Sequence, residues 1–109
     1  MVNFSFDRYS VDLKSTVDRV SAGTPIAVIH AFRGDTSVGE LQFFPDNKLL
    51  PPARLDTNKD VIFLNYSIAR FQAVLDILKD EKPLWLYYRN PTNAGFSSGR
   101  EPIGEEESA

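Results

Sequence analysis

Only one segment of this 109-residue chain repeats its apolar residues with helical spacing, and that limits the fold more than any other feature. At about 100° per residue, Ile68, Phe71, Val74, Leu75, Ile77 and Leu78 share one arc, while Gln72, Asp76, Lys79 and Asp80 fill the other side. Ser67 precedes this run and is placed to cap it, because its hydroxyl can accept from an orphan backbone N–H of the first turn. Pro83 ends it, having no N–H to donate and a ring that clashes with the preceding turn. The spacing therefore predicts one long amphipathic helix from the Ser67 cap to about Lys79. Everything else must be strand or loop.

The strand signals are period-two alternations. Phe4 and Phe6 lie on one parity and Tyr9, Val11 and Leu13 on the other, which predicts a strand with a bulge near Asp7-Arg8. Lys14 to Gly23 is polar, with Val17 and Val20 spaced for a short helical turn. Ile26 to Phe32 is apolar on both parities, as a central strand requires. Gly34-Asp35 marks a hairpin into Ser37 to Phe44, where Leu41 and Phe43 face in and Glu40 and Gln42 face out. Asp46-Asn47-Lys48 turns the chain, and Pro51-Pro52 keeps it extended. Asp56 to Asp60 turns it again ahead of a buried strand from Val61 to Leu64. Leu84, Leu86 and Tyr88 alternate with Trp85, Tyr87 and Arg89 in a final strand. From Asn90 onward, glycine, serine and glutamate predict a loop and a flexible tail. The expected fold is α+β: an antiparallel sheet of about four strands, the helix, and a further strand, in one domain over 1–90, with 91–109 as loop and acidic tail.

Composition narrows the chemistry. There is no cysteine and a single histidine, His30, so thiol catalysis and a structural zinc site are excluded. The net charge of −3 is misleading, because Glu101, Glu105, Glu106 and Glu107 supply four of the fifteen acids. Residues 1–100 carry 12 basic and 11 acidic side chains, a balance of +1. No run approaches the roughly 18 apolar residues of a membrane span, and the first residues alternate where a signal peptide would be continuous, so a cytoplasmic chain is expected.

Few residues invite catalysis. His30 lies within the central strand, where backbone groups are expected to satisfy its nitrogens. Asp35, Glu40, Asp46, Asp56 and Asp60 stand at turns or on strand faces, the usual setting of solvated charge. Gly95 to Arg100 has glycines like an anion loop but no lysine and no following helix, so it is no P-loop. No enzyme, cofactor or metal is expected.

Binding is more suggestive. Trp85, Tyr87 and Arg89 alternate on the outward face of the last strand, and Arg33 and Arg54 stand at strand or turn ends. Aromatic rings stack on unpaired bases, and arginine pairs with phosphate and stacks as well. The same aromatics would equally suit packing or a protein interface.

Four strand-like segments followed by one broadly apolar helix resemble the single-stranded-DNA-binding transcriptional regulators of the Whirly and positive-cofactor type, whose units pair through their helices. The segment Val61 to Leu78, Leu84-Trp-Leu-Tyr-Tyr, Asn93-Ala-Gly-Phe and Gly99-Arg-Glu-Pro-Ile-Gly-Glu is similar to a small cyanobacterial protein group placed in that fold superfamily. The resemblance spans most of residues 61–107 and implies a fold and a homodimer, with Phe71, Leu75 and Leu78 at the dimer interface. It departs from the DNA-binding relatives in having a strand after the helix and no lysine-rich stretch, and no contact motif carries over. Two functions are expected: binding of single-stranded nucleic acid through Arg33, Arg54, Trp85, Tyr87 and Arg89, or a protein-interaction module without nucleic acid.

Overall fold

The computed structural model describes residues 1–15, 24–46 and 49–99. Strands β1 (Val2–Phe6), β2 (Arg8–Leu13), β3 (Ala27–Arg33), β4 (Thr36–Phe44), β5 (Arg54–Asp56) and β6 (Val61–Ser67) precede helix α1 (Phe71–Asp80), and β7 (Leu84–Asn90) and β8 (Asn93–Ser98) follow it. The fold is α+β, but it has two sheets where one was expected. One holds β1-β7-β8 and the other β2-β3-β4-β6-β5.

The parity change at Asp7 is the corner between the sheets and not a bulge. Phe6 faces the shared core at the end of β1, and β2 then continues in the other sheet beside β3. Asp7 holds the corner from both ends of its residue. Its backbone N–H donates to the Phe32 carbonyl at 3.0 Å, and its carboxylate accepts from the Gly34 N–H at 3.0 Å. Arg33 adds a third tie, its Nε donating to the Ser5 carbonyl at 3.2 Å.

The central-strand reading of Ile26 to Phe32 holds: β3 lies between β2 and β4, with Ala27, Ile29 and Ala31 fully buried. Next to it, Leu41 and Phe43 of β4 face in, and Glu40 and Gln42 face out half-buried. The sheet is not wholly antiparallel, because β4 pairs with β6 in parallel, Leu41 opposite Leu64. Its cause lies in the segment between Phe44 and Arg54. Pro45, Pro51 and Pro52 have no N–H to extend a ladder, so the chain passes beyond the next slot before β5 begins. Asp56 then caps the turn, accepting from the Asn58 and Lys59 N–H groups at 3.0 and 3.2 Å, and β6 returns between β5 and β4. Asn65 fastens the proline segment, its Nδ2 donating to the carbonyls of Pro51 and Pro52 at 3.1 and 3.0 Å.

Residues 93–98, expected as loop, are a strand. The β7–β8 hairpin closes where Asn90 accepts from the Thr92 N–H at 2.9 Å, and Ala94 and Phe96 face the core. The helix is shorter than expected. Ser67 Oγ accepts from the Ala69 N–H, only two residues on, so Ile68–Arg70 form a 3₁₀ turn and α1 itself has ten residues. Val74 and Leu78 are buried in the chain's own core, with Phe71 and Leu75 packed half-buried beside them. Phe71 meets Phe43 edge-to-face at 5.0 Å. The apolar arc that implied a helix-mediated dimer is thus covered by the chain's own sheets, leaving Ile77 as its exposed large apolar residue. The Val17–Val20 turn, Asn47-Lys48 and the tail from Arg100 lie outside the described residues.

The sheets meet most closely where Leu86 of β7 rests on Gly39 of β4. A Cβ on Gly39 would stand 2.2 Å from Leu86 Cδ1 and 3.0 Å from the Ile62 carbonyl oxygen. Leu86 is fully buried and cannot swing away. Gly39→Ala is therefore expected to cost about 1–3 kcal/mol through overpacking, read as a lower urea midpoint at unchanged slope. An unchanged midpoint would show that the sheets are not in this contact.

Candidate functional site

The outer face of the three-stranded sheet brings together two of the five residues singled out for binding, Trp85 and Tyr87. In β7, Leu84 and Leu86 are buried, so the alternation turns Trp85 and Tyr87 outward. Trp85 stays 38% exposed although it is the chain's one tryptophan. Its cross-strand neighbours are small: Ser5 on β1 and Ser97 on β8. Tyr87 lies opposite Asn3 and Gly95 and leans over the glycine, where a Cβ would stand 2.8 Å from its hydroxyl oxygen. Small residues on both flanks leave the two large rings raised above a low surface. Arg33 is tied to the backbone of the edge strand β1, its Nε donating to the carbonyl of Ser5, the partner of Trp85.

Arg89 and Arg54 behave differently. Arg89 falls at the register shift between β7 and β8, exposed at the far end of the strand. Arg54 is on the other sheet, its guanidinium 4.1 Å over the Phe63 ring. Phe63 belongs to a row that crosses all five strands, Ser10, His30, Glu40, Phe63 and Arg54. That row lies on the face away from the core, so Arg54 and Trp85 are on opposite sides of the molecule. His30 accordingly is half-buried on an outer face, and not in the core. Phe71, Leu75 and Leu78, expected at a dimer interface, pack within the chain as described above.

Arg70 is a cation that the sequence reading missed. It stands in the 3₁₀ turn and acts electrostatically on Tyr66, as does the phenol of Tyr87. Tyr66 is stacked on Phe43 at 5.6 Å and meets Phe96 edge-on at 6.4 Å. Burial pushes its hydroxyl up to about 12, the nearby Tyr87 phenol adds to the rise, and Arg70 opposes it. No periodic signal could have brought Tyr87 to Tyr66, because β6 and β7 come from distant stretches of chain.

Among the described residues, no three His, Asp or Glu side chains converge as a metal site would require. No described helix is long and apolar enough to cross a membrane. The arrangement offers stacking and charge-assisted contacts. No family model, curated protein or solved structure matches this chain.

Tyr66 makes a testable pH dependence. Its native ionisation is raised from 10.0 to about 12, so between those values the native state keeps a proton that the unfolded chain releases. Stability from this group is fully present below pH 10 and falls by about 2–3 kcal/mol as pH rises to 12. Denaturant melts at pH 9 and pH 11.5 should show a smaller alkaline loss for Tyr66→Phe than for wild type. Equal losses would mean that the hydroxyl is not buried.

Proposed function

We propose that the chain is a small non-enzymatic binding protein that receives unpaired nucleic-acid bases on the outer face of β1-β7-β8. One observation carries this reading: Trp85 and Tyr87 face outward from the same strand between small neighbours, with Arg33 bonded to the backbone carbonyl of Ser5 on the adjoining edge strand. Two π-faces separated by two residues of strand suit successive stacked bases, and arginine supplies phosphate contact without a lysine-rich stripe. Arg89 extends the same strand. Arg54 is left out of this site because of its place on the opposite sheet. The Whirly-type resemblance supports the reading only as analogy of fold and function.

The acidic residues after Arg100 oppose it. Removing them changes the formal charge from −3 to +1, since the chain then holds 12 basic and 11 acidic residues. Truncation after Arg100 should tighten binding of a labelled oligothymidylate, most at low salt where screening is weak. Trp85→Ala should weaken binding by roughly 1–3 kcal/mol and leave the salt dependence unchanged, because stacking releases no counterions. Arg54→Ala should change binding little. Fluorescence anisotropy at two salt concentrations checks all three. Saturable binding absent from wild type and truncation alike, even at low salt, would remove the nucleic-acid reading and favour the protein-interaction module.

A further inference from the structure

A cleft of about 680 Å³ opens where β1 gives way to β2, beside the end of α1 and the start of β7. It exists because the chain changes sheets at Asp7 and the helix stops at Asp80, so neither element fills the corner between them. Its floor is apolar, made by Phe6, Leu78 and Leu84, each only 5–6% exposed. Its rim is basic. Arg8 and Arg33 approach from the sheet side, and Lys79 and Lys82 from the helix side.

The acids at the rim do not cancel this charge. Asp7 and Glu81 line the cleft too, and Lys82 is engaged in an interaction of its own, so three positive groups, Arg8, Arg33 and Lys79, stand against the two acids. The carboxylate of Asp7 is engaged by the Gly34 N–H. The helix C-terminus is the negative end of its dipole, and Lys79 in the last turn offsets it. Arg33 is oriented by its Nε bond to Ser5, which directs a pre-positioned guanidinium to the cleft edge. Its volume is that of a small-molecule site, and an apolar floor under a cationic rim discriminates by chemistry.

We propose that this cleft binds a small amphiphile, with an aliphatic or aromatic body on Phe6, Leu78 and Leu84 and a terminal anion at Arg8, Arg33 and Lys79. A carboxylate and a phosphate ester share that chemistry. The cleft shares with the base-stacking face Ser5 and the Arg33 bonded to it, and it stands whether or not nucleic acid binds on that face.

The test is calorimetric titration of the full chain with decanoate and decyl phosphate below their micelle concentrations, decanol below its solubility limit, and inorganic phosphate. Saturable binding of decanoate or decyl phosphate is expected, the tighter of the two identifying the anion. Decanol and inorganic phosphate should bind at least about tenfold more weakly, each lacking half of the required contacts. Arg8→Gln with Lys79→Gln, both exposed and outside the core, should weaken the anionic amphiphile about tenfold or more while leaving decanol unchanged. Melting of the variant without ligand verifies that it folds. Equal affinity for decanol and decanoate, an unaffected double variant, or no saturable binding of either anion would overturn the proposal.

Discussion

The contact between Leu86 and Gly39 governs the arrangement of this protein. A sheet of three strands and a sheet of five can share one core only if their inner faces approach closely, and the absent side chain at Gly39 makes room for a fully buried leucine. Around that point Ile29, Leu41 and Ile62 come from one sheet and Leu84 from the other, and α1 closes the core with Val74 and Leu78. Because Leu84 and Leu86 must face inward, Trp85 and Tyr87 must face outward. The exposed aromatics are therefore a consequence of the same alternation that makes the core.

The corner at Asp7 is the second constraint. Strand β1 pairs with β7 and strand β2 pairs with β3, so one continuous stretch of chain ties the two sheets together. The bonds of Asp7 with Phe32 and Gly34 of the β3–β4 hairpin, and the bond from Arg33 back to the Ser5 carbonyl of β1, fix that crossing. The same corner opens the basic cleft.

Much of this was legible in the sequence, and the failures have physical causes. The facing of β4 and β7 followed from period-two alternation, whereas β3, apolar on both parities, showed its central place and not which face meets the core. The Pro83 stop bounded the helix at its end, but Ser67 caps the 3₁₀ turn Ile68–Arg70, and α1 starts only at Phe71. Strand β8 was missed because its outward positions, Asn93, Gly95 and Ser97, are small or polar, the property that lets Tyr87 and Trp85 stand above them. The three-residue β5 was too short to show alternation, and with it the parallel β4–β6 pairing escaped notice. The helix arc suggested a partner chain because a sequence cannot show that a second sheet of the same chain covers it. For the binding residues, strand parity grouped Trp85 with Tyr87, but sheet membership separated Arg54 from them.

The most direct test of the account is to map which backbone amides respond when a short oligothymidylate is added at low salt, by two-dimensional nitrogen–proton NMR. The account predicts shifts clustered at Asn3, Ser5, Trp85, Tyr87, Gly95 and Ser97, with Ser10, His30, Glu40 and Arg54 on the opposite sheet unmoved. Shifts concentrated on the Ser10–Arg54 row, or none on β7, would contradict it.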